Sequence, residues 1–412
     1  MPEKNEINMA ADPTKLKVAK DLGRQDILFA LARRKGSERV YVGGSDFKLY
    51  DVDLAAAKPE AKPVGEHLSY VTSAALAGDD LLVSGGYDCR LNWWNAATAK
   101  PVRSVEAHTK RIRMVVASPD GKLVASVADD MACKLWDAAS GKLVRTLEGH
   151  EALTPTHFTS MLYAVCFSHD GKLLATGDKT GRVCVWNVAD GKRLAQLEAP
   201  GMYTWDPKQR RHSIGGIRSL AFSPDGATLC VGGTGQIGNI DHLDAPARLE
   251  AFDWQAGKSK LVLSTDSKHK GLIEQLIFSP DGKWVVYRTD RKKAEHLQIH
   301  VIGIDGKHDT AVTDDPNSVF WAPYWHPTEP YIIWTGADHS DPTARPNYDL
   351  WLMKYEVKDG EFKPGKRWRV TDHPTGDVLP VFSPDGKQLM WTSNRTPEHQ
   401  SQLFIADFKL PE

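Results

Sequence analysis

The chain has 412 residues, 41% of them hydrophobic and 25% charged, and its 52 basic residues against 53 acidic ones leave a formal net charge of -1. That balance argues against nucleic-acid or membrane-surface binding driven by bulk electrostatics. No apolar run approaches the roughly 18 to 20 residues that a membrane-spanning helix needs, so no membrane insertion is expected.

At the N-terminus, MPEKNEINMAADPTK lacks the apolar core of a secretory signal. The chain as it stands reads as soluble and cytoplasmic; Ala10-Ala11-Asp12-Pro13 would suit the start of a mature periplasmic or exported protein whose leader had been removed. Residues 1–13 read as a flexible tail, and everything from 14 to 412 as one domain.

Repeats organise that domain. Segments 115–122, 165–172, 220–227, 276–283 and 381–387 share an apolar strand and a turn of Ser-Pro-Asp-Gly type. Their aspartates recur about every 50 to 56 residues, with one double interval. Trp325-His326-Pro327-Thr328-Glu329-Pro330 fills that interval as a degenerate copy. Proline fixes φ at the turn, aspartate accepts hydrogen bonds from the turn's own backbone, and glycine takes the positive φ of a tight hairpin. A third strand follows each hairpin and often ends in an aromatic residue, as in Trp93-Trp94-Asn95, Leu135-Trp136-Asp137, Val185-Trp186-Asn187 and Leu350-Trp351. Turns such as Ala139-Ser140-Gly141-Lys142 then lead to a fourth, more polar strand.

Four short strands per unit, with no amphipathic helix, predict an all-β fold: a single closed β-propeller of about eight four-stranded blades. The blades fall at 24–62, 68–105, 109–147, 160–198, 214–266, 272–313, 318–372 and 376–408, with seven blades and an irregular segment as the alternative count. The last blade stops after its third strand at Phe408, and Leu16-Lys17-Val18-Ala19-Lys20 is placed to supply the missing outer strand, closing an edge that would otherwise invite aggregation. Cys89, Cys133, Cys166, Cys184 and Cys230 show no metal-ligand spacing and read as core thiols.

Blades 2 to 4 resemble WD repeats. His67, His108 and His150 precede inner strands, Asp88 and Asp130 sit in second-to-third strand turns, and Trp94-Asn95, Trp136-Asp137 and Trp186-Asn187 close third strands. The resemblance implies that His, Asp and Trp form a buried hydrogen-bond network in each blade. Blade 4 has Thr180 where the turn aspartate would fall, so its network is expected to be incomplete; blade 1 has Tyr50 for tryptophan and a shortened turn at Ser45-Asp46-Phe47. From about residue 272, Asp349-Leu350-Trp351-Leu352-Met353, Arg369-Val370-Thr371, 379–387, Trp391-Thr392-Ser393-Asn394-Arg395 and Gln402-Leu403-Phe404-Ile405-Ala406-Asp407 are similar to the repeats of TolB-like propellers of bacterial envelopes. WD-like blades would thus cover 24–266 and TolB-like blades 272–408, in a chain of bacterial origin.

Turns in such blades alternate between two faces. The long insertions, 151–161, 200–213, 233–249, 290–296, 336–347 and 394–400, fall together on one, and long loops on a rigid scaffold carry function disproportionately. Tyr203, Trp205, Arg210 and Arg211 place aromatics beside arginines, the composition of interface hot spots. Arg111, Arg113, Arg291 and Lys292 add positive charge to the same rim and favour an acidic partner. Gly233-Thr234-Gly235-Gln236-Ile237-Gly238 matches G-x-G-x-x-G, but it leads to another strand rather than a helix, so no dinucleotide or other cofactor is expected. No nucleophile elbow, H-E-x-x-H or P-loop is present. The chain therefore reads as a monomeric scaffold that binds a protein or peptide, without catalysis or a metal. The alternatives are an envelope accessory protein like TolB, and a metal-assisted lyase or hydrolase using His339, Asp341, His373 and His399.

Overall fold

The computed structural model describes residues 27–34, 37, 39–53, 56, 59–208, 213–237, 246–264, 273, 276, 278–289, 292, 296–383, 385–395 and 402–411. The fold is an all-β propeller, and among the described residues the helical element is a single 3-10 turn at Pro200–Met202. Eight antiparallel blades follow one another in sequence. Six have four strands in chain order, at 28–66, 71–106, 112–147, 162–198, 217–264 and 318–369; those at 284–311 and 377–407 have three described strands each. The repeat spacing thus places every blade. Leu16 to Lys20, on which closure of the ring rested, and the tail at 1–13 lie outside the described residues.

The recurrent turns behave as their chemistry dictates. In blade 3, Ser118 Oγ donates to Asp120 Oδ1 at 2.7 Å, the Lys122 N–H donates to the same oxygen at 3.1 Å, and Gly121 sits at φ +70°. Asp170, Asp225, Asp281 and Asp385 repeat the arrangement.

The chain forms two compact units, one ending at Leu276 and one beginning just after it. In the first, the inner strands Leu28–Arg33, Val71–Ala77, Ile112–Ala117, Leu162–Phe167 and Ile217–Phe222 lie side by side in order. Apolar side chains of neighbouring blades mesh between them, as where Val127 and Leu135 of blade 3 meet Leu162 and Leu174 of blade 4. Cys133, Cys184 and Cys230 are buried there; Cys89 and Cys166 are partly exposed, and all five are free thiols.

Blades 2 and 3 each hold the network that the WD resemblance implies. His67 Nδ1 meets Asp88 at 2.9 Å and its Nε2 meets Ser84 Oγ at 2.8 Å, while Trp94 Nε1 donates to the same hydroxyl at 2.8 Å. His108, Asp130, Ser126 and Trp136 repeat this. Blade 4 corrects the expectation drawn from Thr180. Asp178, two residues earlier, bonds His150 Nδ1 at 2.8 Å, while Thr176 Oγ1 meets His150 Nε2 at 2.8 Å and accepts from Trp186 Nε1 at 2.9 Å. The network is complete, and Thr180 supports it by donating from its N–H and hydroxyl to Asp178 Oδ1. In blade 1 a shorter link replaces it, Tyr50 Oη donating to Asp46 at 2.5 Å.

Burial works against the Asp130 charge, but His108 and the N–H groups of Thr109 and Ala132 outweigh it and hold the carboxyl down at about 2. A carboxyl lowered in the folded state stabilises above its unfolded value of 3.8 and loses that contribution as pH falls through its folded value. Stability is therefore expected to drop by about 2 kcal/mol from this group between pH 5 and pH 2. Urea melts across that range should show the corresponding component missing in Asp130→Asn.

Candidate functional site

At the start of each inner strand of the first unit the pairing with the second strand slips by one residue. The slips fall between Leu28 and Ala30, Val71 and Ser73, Ile112 and Met114, Leu162 and Ala164, and Ile217 and Ser219. Each is a β-bulge, which leaves one residue outside the ladder and re-aims its side chain. Those residues are Phe29, Thr72, Arg113, Tyr163 and Arg218.

The bulge residues join the residues just before the inner strands and just after the second strands in one chain of rings and guanidiniums. Tyr70 lies 5.8 Å from Phe29, 5.5 Å from Phe47 and 5.6 Å from Tyr87, centroid to centroid. Arg111 and Arg113 lie 4.9 and 5.8 Å from the Tyr87 centroid. Arg113 also lies 5.2 Å from the Tyr163 ring, and Arg218 sits 3.7 Å from it. Such contacts add electrostatic attraction to apolar contact. Thr72 Oγ1 donates across to Ile112 O at 2.7 Å, tying blade 2 to blade 3 at this level.

Asp129, buried, holds the middle of the chain. Arg113 donates to both its oxygens, Nε to Oδ1 at 2.7 Å and Nη2 to Oδ2 at 2.9 Å, and Arg111 Nε donates to Oδ2 at 2.7 Å. Burial works against the Arg113 charge, yet the Asp129 bonds more than offset it, so the guanidinium stays firmly protonated.

Lys179 occupies in blade 4 the position that Tyr87 and Asp129 hold in blades 2 and 3. It is only 8% exposed, and its Nζ donates to Thr159 O at 3.4 Å. Burial pushes its ammonium below the usual lysine range; Tyr203 opposes this, the charge of Arg218 adds to it, and Asp129 opposes it. Tyr203 belongs to a small hairpin, Tyr203–Trp205 with Ser213–Gly215. Its hydroxyl meets Thr156 Oγ1 at 2.8 Å and Ser213 Oγ at 3.0 Å. Burial would raise this phenol, but bonds with Ser213, Thr154 and Thr156 and the Lys179 charge hold it below the usual range. Gly216, at φ +122°, follows the hairpin; a Cβ there would come within 2.8 Å of the Tyr163 ring and 3.0 Å of Lys179 Cα.

Of the residues expected from sequence, Tyr203, Arg111 and Arg113 therefore share one continuous surface. Trp205 stands at the hairpin's outer end, 45% exposed. Arg210, Arg211 and Arg291 lie outside the described residues. Lys292 belongs to the second unit, where its Nζ pairs with Asp314 Oδ2 at 2.7 Å. Sequence reasoning missed Tyr70, Tyr87, Tyr163, Lys179 and Arg218. The available signal was positional: aligning the blades puts them at equivalent places before, inside and after the bulged pair.

The second unit holds the residues of the alternative. His339 Nε2 meets Tyr348 Oη at 3.1 Å, Asp341 Oδ1 accepts from Thr343, and His373 Nδ1 meets Thr375 Oγ1 at 2.7 Å; His399 lies outside the described residues. Among the described residues no group of three or more His, Cys, Asp or Glu side chains could hold a metal ion, and no helix is long and apolar enough to cross a membrane. Burial raises Asp349 to about 6 against the pull of Arg369. The strand containing Gly233 runs on to Thr234, and the next begins at Ala247, while 238–245 lie outside the described residues.

Among known families, the WD domain, G-beta repeat, matches residues 99–137, 141–187 and 207–237. The first two stretches run from the fourth strand of one blade to the third strand of the next, and all three lie in the first unit. The chain thus carries WD repeats in a β-propeller. An alignment 147 positions long, covering 29% of this chain, shows 26% identity to the "Uncharacterized peptidase YuxL" of Bacillus subtilis (strain 168) and covers 21% of it, so the chain spans about a fifth of that relative's length.

Removing one partner of a buried ion pair costs roughly 3–5 kcal/mol. Asp129→Ala strands two guanidiniums, one of them half exposed, and is expected to lose about 3 kcal/mol in urea unfolding. Arg111→Ala leaves the Arg113 pair intact and should cost under about 1 kcal/mol.

Proposed function

We propose that this chain is a monomeric binding scaffold without catalysis of its own, which docks a protein or peptide on the aromatic and arginine surface of blades 1 to 5. One observation carries the proposal. Five successive bulges turn a residue out of the β-ladder at the same level, and in three of the five that residue is an arginine or tyrosine joined in one contiguous chain. Tyrosine and arginine dominate the energetics of protein interfaces, because they bury large rigid area and still satisfy a polar partner. Arg111, Arg113, Lys179 and Arg218 outnumber the buried Asp129 and favour an acidic partner. The hairpin carrying Trp205 extends the same surface in this proposal. The blades after residue 272 are of TolB-like type in this reading, on the strength of the motifs at 349–353, 369–371, 379–387, 391–395 and 402–407.

Affinity capture from the source lysate tests this, comparing wild type with Tyr70→Ala/Tyr163→Ala and with Lys142→Ala/Lys192→Ala in the Gly-Lys turns, all verified as folded. Partners retained by the turn variant should be depleted about tenfold or more by the aromatic variant. Equal capture by all three would exclude this surface as the main docking site.

A further inference from the structure

Within that surface the positive charges are not equally provided for. Asp129 is taken by Arg111 and Arg113. Among the described residues, Lys179 and Arg218 have no carboxylate within 4.0 Å. An ammonium carries three donor hydrogens, and among the described residues the hydrogen bond of Lys179 Nζ is a long one to a backbone carbonyl, Thr159 O at 3.4 Å. Arg218 spends its planar face on the Tyr163 ring and keeps its edge donors. The two groups adjoin: Gly216 lies against both the Tyr163 ring and the Lys179 backbone, and Lys179 feels the charges of Arg218 and Tyr203. A nine-tenths buried lysine without a counter-ion, beside an arginine without one, is an arrangement that an arriving anion stabilises and no apolar group does.

We propose that Lys179 and Arg218, with Tyr163 and Tyr203 beside them, form an oxyanion subsite that takes the carboxylate or phosphomonoester group of an acidic peptide segment. This rests on the docking surface proposed above. Further along the surface Phe47, Leu68 and Tyr70 are exposed, Leu68 at 81%, so the segment pairs an acidic group with an apolar one on the Tyr70 side. A nucleic-acid strand fits less well. It needs a run of phosphate contacts, whereas the cations here are confined to blades 3 to 5 and Asp129 sits among them.

The subsite is tested on the full chain by thermal unfolding in inorganic phosphate against chloride at equal ionic strength. Wild type should gain about 2–4 °C over Lys179→Met and Arg218→Gln at phosphate concentrations about tenfold above the dissociation constant. Arg218→Lys should keep part of the gain, and the turn variant Lys142→Ala all of it. General salt exclusion acts on every variant alike, so an equal phosphate increment in all of them overturns the subsite. Fluorescence anisotropy with labelled tetraglutamate and phosphoserine peptides, each bearing a phenylalanine, then identifies the source, the tighter peptide losing about tenfold in Lys179→Met as expected for a charge-assisted contact. A phosphate gain with neither peptide bound would overturn the peptide assignment. If Tyr70→Ala/Tyr163→Ala abolishes partner capture and Lys179→Met leaves capture and phosphate response untouched, the docking surface stands and the subsite falls.

Discussion

The buried bond between a histidine ahead of the inner strand and an aspartate at the end of the second strand is what the outer surface depends on. Each of these aspartates has a residue of the site directly before or after it: Tyr87 before Asp88, Asp129 before Asp130, Lys179 after Asp178. In blades 2 and 3 the aspartate also accepts from the backbone after the histidine, at Leu68 and Thr109, which fixes the link leading to Tyr70 and Arg111. A network that is silent in chemistry thus sets both margins of the chain of rings and guanidiniums. Because the imidazole and carboxylate are shut away from water, their hydrogen bond is worth more than an exposed pair would be, and the margins are correspondingly stiff.

Blade 4 shows how this scheme tolerates variation. Its aspartate has moved back two residues to the strand's end, where it still reaches His150 but now also accepts from Thr180 and Arg182. Thr180 takes the place the aspartate has left, and Lys179 stands where blades 2 and 3 have Tyr87 and Asp129.

Much of the fold was legible in the sequence because its determinants are local. The Ser-Pro-Asp-Gly turns act within five or six residues, and the histidine and tryptophan positions recur with the blades. The displaced aspartate was not legible, since Thr180 lies at the spacing from Thr176 that Asp88 has from Ser84, and only geometry shows that Asp178 reaches the same imidazole. The site was half legible. Arg111, Arg113 and Tyr203 stand out as charge or aromaticity near loops, whereas Tyr163 and Arg218 look like ordinary strand residues. A bulge is a property of pairing between two strands, and neither strand's sequence announces it. In the second unit the polar logic differs: Trp391 donates to Asp377, while the indole N–H groups of Trp284, Trp325, Trp334 and Trp368 have no protein acceptor and their rings sit among other apolar side chains. Trp284 and Trp325 thus meet their neighbours edge-on rather than through the indole N–H.

A bulge residue stands outside the hydrogen-bond ladder of its own sheet, which frees its side chain to reach a neighbouring blade, as Thr72, Arg113 and Arg218 do. The ladder does not dictate its identity, and in this chain it runs through phenylalanine, threonine, arginine, tyrosine and arginine in five consecutive copies. Each of these five blades contributes one letter to a five-letter word written along the inner strands. Rewriting that word, one substitution per blade, changes what this surface presents while the backbone ladder stays the same, and only the letter paired with Asp129 is tied to a buried charge.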